Sequence, residues 1–418
     1  MVASYLHNLA ELYSQMKAYK DAEPLYERSL AIKEKYFGRD NPELREILKD
    51  LSSNYLQTGS YTKAEPLAGR HLALQEKIYG PNHPYVAEAV NDLALIYGQM
   101  GEYARAEPLF KRSLAIYEKV HGQNHPTVAS ILNDLAVLYT KTGEYTKAEP
   151  FLKRALSIDE KALGPDNKSL AATLNNMAEL YRNMGQYVKA EPLYKRSLDI
   201  MGKALGQDHP DVAIILHNLS IVYQSLGETA KAEPLSKRAL AIAEKALGPD
   251  HPFTAKALNN MALIYKQKGD YAKAEPLYKR ALAIRGKTLG REHPELAETM
   301  NNLAGLYDSM GEYAEAESLY KNSLVIKEKT FGKDHPSVAT TLNNLGWLYY
   351  RTGDFHKAKA FYERALAIQE KSLGENHLYV GNTLNNLAKL YVQMGQPAKA
   401  EPLRKRARAI IKKASGKD

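Results

Sequence analysis

The apolar positions of this chain fall on two helical faces separated by a glycine, and the arrangement repeats every 42 residues. Val90, Leu93, Ala94 and Tyr97 stand at i, i+3, i+4 and i+7, the spacing of a single helical face. After Gly101-Glu102-Tyr103 a second face follows in Ala106, Leu109, Phe110, Ser113 and Leu114, with small residues where a partner helix must approach closely. The register never slips. Tyrosine recurs at Tyr13, Tyr55, Tyr97, Tyr139, Tyr181, Tyr223, Tyr265, Tyr307, Tyr349 and Tyr391. One such unit cannot bury its apolar face alone, so neighbours must cover one another in a continuous one-dimensional core. The pattern predicts an all-α solenoid over residues 1–418, with ten antiparallel helix pairs and no strand.

Punctuation sets the helix ends. Gly122 and Gly206 stand where one helix stops, and His125-Pro126 and His209-Pro210 where the next begins, a position at which the missing N–H of proline costs nothing. Turns within units are expected at Gly59, Gly101, Gly143, Gly185, Gly227, Gly269, Gly311, Gly353 and Gly395. A second proline, Pro108 and its copies, belongs in the first turn of the second helix, because deeper it would remove a hydrogen bond; that helix is expected to start near Ala104. In the last unit, about residues 378–418, the turn tyrosine becomes Pro397 and Arg408 replaces an apolar contact, the polar face of a C-terminal cap.

Lys and Arg number 57 against 48 Asp and Glu, a formal charge of +9, with the signs interleaved. A nucleic-acid binder gathers basic residues on one face with aromatics between them, so no nucleic-acid partner is expected. No apolar run approaches the roughly 20 residues that span a bilayer, and Met1 to Tyr19 lacks the charged start and apolar stretch of a signal peptide. Cysteine is absent, which excludes disulfides and thiolate metal sites. The expectation is a cytoplasmic protein without a membrane partner.

Leu132, Leu135, Ala136, Tyr139, Ala148 and Ala155 carry the pattern Leu-x2-Leu-Ala-x2-Tyr followed by spaced alanines, which resembles the tetratricopeptide repeat. The 42-residue period, with its LNNLAxLY, KAEPLYKRSLAI and LGxDHPxVA segments, is similar to the repeats of the kinesin light chain and its bacterial relatives. The likeness covers essentially the whole chain. Local departures are Ser318 and Ala360 in place of the second proline, and Asn167-Lys168 and His377-Leu378 in place of His-Pro. The resemblance implies a right-handed superhelix whose first helices line a concave groove holding peptide segments of other proteins. It does not imply the motor, because the heptad segment that binds a heavy chain is not found in this sequence. The first residues fall inside a first helix, as expected of a piece of a longer protein.

With Leu132, Leu135, Ala136 and Tyr139 buried, a rotation of about 100° per residue turns Ser130, Asn133, Val137 and Thr140 to the opposite side. The row Asn91, Asn133, Asn175, Asn259, Asn301, Asn343 and Asn385, with His7, Lys49 and His217 in the remaining units, is therefore expected to line the groove. An amide both donates and accepts, so such a row can pair with an extended peptide backbone. Such amides would be solvated without a peptide, and their loss would leave stability unchanged. The alternative is that they bond the neighbouring repeat, the role expected of the second asparagine of each pair. Specificity then falls to the variable positions. Glu11, Glu46 and Glu88 against Lys49 lean acidic; Arg182, Lys256, Lys266, Arg351 and Lys389 against Glu179, Glu298 and Asp308 lean basic. Trp347, Tyr350, Arg351 and Lys389 join apolar surface to charge that the sequence leaves unopposed, an anchor suited to an acidic or aromatic segment. Packing of Trp347 against the next repeat is the competing reading.

No phosphate loop, His-Glu-x2-His or Gly-x-Ser-x-Gly motif appears, so neither catalysis nor a cofactor is expected. The loop histidines His83, His125, His209, His251, His293, His335 and His377 are separated from unit to unit by packed helices ~8 to 10 Å apart, too far to share a metal. They read as helix-start residues, and no metal site is expected. Function follows as a scaffold or adaptor binding peptide segments of partner proteins. The alternative, a ligand-sensing arm of a larger nucleotide-binding signalling protein, differs only in sequence outside these 418 residues.

Overall fold

A computed structural model describes residues 1–16 and 18–414. The helices run in pairs: α1 Val2–Gln15 with α2 Tyr19–Phe37, α3 Arg45–Thr58 with α4 Tyr61–Tyr79, and α5 Pro84–Met100 with α6 Tyr103–His121. Next come α7 Pro126–Lys141 with α8 Tyr145–Leu163, α9 Lys168–Asn183 with α10 Tyr187–Leu205, and α11 Pro210–Ser225 with α12 Thr229–Ala246. The remainder are α13 Pro252–Gln267 with α14 Tyr271–Thr288, α15 Pro294–Met310 with α16 Tyr313–Phe331, α17 Pro336–Arg351 with α18 Phe355–Leu373, and α19 Leu378–Gln393 with α20 Pro397–Ala414. A single 3-10 turn, Pro42–Leu44, precedes α3, and the described residues contain no strand.

The predicted faces are the buried ones. Leu132, Leu135 and Ala136 are inaccessible and Tyr139 nearly so, and each helix pair adds Ala148 or its copies where two helices cross closely. Gly101 ends α5 with φ of 78°, a left-handed conformation that an L side chain adopts only with strain. His125 opens α7 by accepting the Thr127 N–H on Nδ1, with Pro126 filling the first helical position.

The second proline is not where the sequence placed it. Helix α6 begins at Tyr103, one residue before the expected start, so Pro108 is its sixth residue and lies beyond the first turn. The carbonyl that loses its partner is that of Ala104, four residues earlier, and both residues face solvent. A carbonyl on that exposed face is open to solvent, which removes the main cost of an interior proline.

Units are joined by repeated polar bonds as well as by the core. The hydroxyl of Tyr97 donates to Glu65 of the preceding unit at 2.9 Å, Tyr139 to Glu107 at 2.8 Å, Tyr223 to Glu191 at 3.0 Å and Tyr307 to Glu275 at 3.1 Å. The glutamate of the Glu-Pro pairs at Glu65, Glu107, Glu149, Glu191 and Glu275 thus anchors the tyrosine that marks the next unit, whereas Tyr55 bonds Glu27 instead. On the outer face Arg112 meets Glu76, Arg154 meets Glu118 and Arg280 meets Glu244, each at 2.7 Å. These pairs are partly open to solvent and contribute little individually.

The solenoid closes on itself after five units. The Nε2 of His251, at the start of α13, lies 3.0 Å from the Gln57 carbonyl near the end of α3, and the same relation joins His293 to Gln99, His335 to Lys141 and His377 to Asn183. Successive superhelical turns therefore touch, and the first helices surround a lumen instead of an open trough.

Truncation at the marker tyrosine tests this packing. Tyr181→Ala is expected to cost about 3 to 5 kcal/mol in chemical denaturation, as for other large aromatic truncations. Tyr181→Phe, which removes only the partly solvated bond to Glu149, should cost no more than about 1 kcal/mol. Equal behaviour of the two variants would show that the ring is not a core element.

Candidate functional site along the inner surface

The asparagine row stands on the first helices of the pairs, and most of its side chains are engaged. Asn176 donates to Asn133 at 3.3 Å, Asn218 to Asn175 at 3.1 Å, and Asn302, Asn344 and Asn386 to Asn259, Asn301 and Asn343 at 3.3 Å each. In these five pairs the second asparagine of a unit reaches back to the first asparagine of the unit before it, while Asn260, which finds His217 there, donates to Ser220 and Ser236 instead. Asn259 and Asn301 are each 7% exposed, which corrects the expectation of solvated amides whose loss would leave stability unchanged. Asn133 spends its Nδ2 as well, on the Thr173 hydroxyl and the Ala129 carbonyl. The Nδ2 groups of Asn259, Asn301 and Asn343 have no acceptor among the described residues, and Asn385 makes no side-chain bond there.

In the early units the ladder is acidic. Asp92 and Asp134 occupy the register that Asn176, Asn218 and Asn260 hold later. Asn91 consequently donates to Asp134 at 3.2 Å, the reverse of the later polarity, and its own Oδ1 is buried without a partner. Burial pushes the Asp134 carboxyl up to about 7 and, with Glu88 beside it, that of Asp92 to about 6. Glu88 itself is paired with Lys49 at 2.6 Å. His7 meets Asp50 at 2.6 Å.

Midway along the chain the lumen brings together charges from several units. Arg182 reaches Glu179 at 3.3 Å. Burial would raise the Glu179 carboxyl, but Arg182, Lys256 and Lys141 hold it below its ordinary value. His217 is 2% exposed with neither ring nitrogen bonded, and burial, with Lys256, Arg182 and Arg285 nearby, keeps it neutral. Two charges that the sequence reading passed over lie beside them. Arg285 is wholly buried, donates to Thr299 at 2.5 Å and pairs with Glu295 at 3.3 Å; burial would raise that carboxyl, yet Arg285 holds it at about 2. Lys327 donates to Thr341 at 3.0 Å without a carboxylate in salt-bridge reach among the described residues, and burial lowers it to about 8. Their register was the available signal: the same position holds Met201 and Ala243 in the two units before Arg285. Lys141, Glu295, Glu298, Lys327, Tyr103 and Phe331 line a cavity of about 360 Å³ here.

At the C-terminal end Trp347 is half-buried and stacks on Tyr350 with ring centroids 5.4 Å apart, and the Lys389 ammonium lies 5.6 Å from its centroid. Arg351 is not unopposed. It donates to the Asp308 carbonyl at 2.7 Å and pairs with the Asp308 carboxylate at 3.1 Å. Burial raises the Asp308 carboxyl despite Arg351 and Lys266 beside it, and burial lowers Lys266. Arg351 and Lys266 thus share one carboxylate. The described residues contain no cluster of metal-ligating side chains and no helix long and apolar enough to cross a membrane.

The tetratricopeptide repeat model matches residues 1–77, 53–119, 85–161, 169–245, 222–287, 253–324, 295–371 and 350–413. The chain belongs to the tetratricopeptide repeat family, whose members are generally non-enzymatic scaffolds. Its structural neighbours include kinesin light chain-like proteins. BtubC (BKLC) from P. vanneervenii is 27% identical, over 56% of this chain and 92% of its own, with a TM-score of 0.42. A putative kinesin light chain of Podospora anserina with nearly identical TPR-like repeats is 29% identical, over 49% of this chain and 98% of its own, with a TM-score of 0.39. A Rap protein complexed with competence and sporulation factor shares the fold at a TM-score of 0.63 and 16% identity, over 88% of this chain and 98% of its own. Among curated proteins none matches the sequence.

Two variants read the ladder. Asn259→Ala with Asn301→Ala should lower the melting temperature, since Asn302 and Asn344 each lose an acceptor worth about 1 kcal/mol; an unchanged melting temperature would contradict the ladder. Asp134→Asn should raise it at pH 8. The folded Asp134 carboxyl titrates at about 7 against 3.8 unfolded, so its contribution is fully present below 3.8 and lost as pH rises through 7. The advantage of the asparagine variant should accordingly vanish near pH 4, and a gain independent of pH would rule out the buried carboxyl as its cause.

Proposed function

We propose that the chain is a protein-interaction scaffold whose inner surface receives an extended peptide segment of a partner protein. The observation that carries this reading is the sequence of groups along the lumen. Amide donors of Asn259, Asn301 and Asn343 stand without acceptors among the described residues in three successive units, and such donors can pair with the carbonyls of an extended backbone. Side-chain charge changes along the same path, from Glu88, Asp92 and Asp134 to Arg182, Lys256, Lys266 and Lys389. A peptide with an acidic end would be oriented by that change, with its acidic or aromatic residues at Trp347, Tyr350, Arg351 and Lys389. Arg351 serves there chiefly as a positioning group, being tied to Asp308, while the exposed Lys389 supplies the mobile charge.

Peptides selected from a displayed library against the intact chain test the proposal. Because Trp347 is the only tryptophan, its fluorescence reports binding at that end directly. Trp347→Ala and Lys389→Glu should each weaken selected acidic peptides by about 1 kcal/mol, with the Lys389 effect fading as salt rises. Selected peptides that ignore both substitutions and leave the emission unchanged would place the binding surface elsewhere.

A further inference from the structure

The loop histidines have two functions in the second superhelical turn and one in the first. In every case where α13, α15, α17 and α19 begin, the ring Nδ1 accepts a backbone N–H two residues on, from Phe253, Glu295, Ser337 and Tyr379, each at 3.1 Å. A neutral imidazole has one acceptor nitrogen and one donor, so the helix cap forces the hydrogen onto Nε2. Burial lowers the pKa of all four rings and favours the neutral form. Nε2 then donates outward to a carbonyl of the previous superhelical turn, those of Gln57, Gln99, Lys141 and Asn183, at 2.7 to 3.3 Å.

Neighbouring groups support the contact. The proline after each histidine packs on the glycine of the turn beneath it: a Cβ built on Gly59, Gly101 or Gly143 would lie 2.7, 3.4 or 3.0 Å from the Cγ of Pro252, Pro294 or Pro336. Gly185 meets Leu378 in the same way, which explains how His377-Leu378 can replace His-Pro. Tyr103 stacks on Phe331 across the same seam, with ring centroids 5.9 Å apart. Carbonyls at the end of a lower helix face the start of an upper one, so the helix dipoles meet with opposite signs. The glycines without an overlying turn, Gly227, Gly269, Gly311, Gly353 and Gly395, meet nothing within 4 Å. Asparagine caps occur at Asn41 and Asn167, in the first turn, where a cap is needed and an outward donor is not.

We propose that His251, His293, His335 and His377 form a clasp that keeps the solenoid wound and the lumen shut along its side, so that a partner segment enters by parting the seam. The last clause rests on the peptide-binding function proposed above; the clasp itself does not.

Asparagine already caps helices in this chain, so His→Asn retains the cap and removes the reach of Nε2. The quadruple variant His251→Asn, His293→Asn, His335→Asn, His377→Asn is compared with His83→Asn, His125→Asn, whose rings cap helices but meet no carbonyl of another unit among the described residues. Small-angle X-ray scattering and amide hydrogen exchange are measured on the chain alone. The quadruple variant should show a larger radius of gyration and faster exchange at the turns of Gly59, Gly101, Gly143 and Gly185, by up to about tenfold per lost bond. The control should match the wild type. No expansion and unchanged exchange in the quadruple variant, or equal expansion in both, overturns the clasp. Should the quadruple variant fail to fold, Gly143→Ala and Gly311→Ala decide, since both glycines have a left-handed φ, of 80° and 87°, and only Gly143 faces a proline. Loosening by Gly143→Ala alone supports the clasp, and equal behaviour overturns it. No partner is present in these measurements, so an intact clasp with no selected peptide would instead count against the peptide-binding reading.

Discussion

Everything in this molecule depends on one constraint: a helix pair with an apolar face on each side has no stable existence except between two copies of itself. The marker tyrosines, the crossing alanines and the Tyr–Glu bonds between units are answers to that constraint, repeated without an insertion. Because the register does not slip, small rotations between units accumulate coherently, and after five units the chain arrives beside itself. The lumen and its charges are consequences of that return.

The one-dimensional architecture was legible because its signals are local. Apolar spacing gave the helices and glycine the turns, and Tyr55, Tyr97, Tyr139, Tyr181, Tyr223 and Tyr349 are buried as their spacing required, while Tyr13, Tyr265, Tyr307 and Tyr391 are half-buried. Pro108 was misplaced because its penalty was judged without knowing that Ala104 faces water. The seam was not legible, since winding depends on small rotations at each interface that no single residue encodes. A trace of it does lie in the sequence, in asparagine caps that appear only in the first turn.

The inner surface was read less well, for a related reason. A helical wheel says which way Asn133 points, but the next unit decides what it meets, and that is the Asn176 amide. The same applies to Arg351, whose charge is opposed by Asp308 from a unit away in sequence. Arg285 and Lys327 sit in a register that elsewhere faces the core, so a wheel assigns them to packing; the packing of each helix on the next one in the chain brings them beside Glu295 and Thr341. Burying such charges costs stability unless each finds a partner, which Glu295 supplies for Arg285 and the Thr341 hydroxyl for Lys327.

The chain has no cysteine, so spin labels can be introduced singly and without background. Lys147 and Lys333 line one cleft between superhelical turns although they belong to different units far apart in sequence. Labels at these two positions, measured by pulsed electron resonance on the free chain, test directly whether the solenoid returns to itself. A single short and narrow distance distribution is the predicted result, and a long or broad one, as an unwound array would give, would contradict the account.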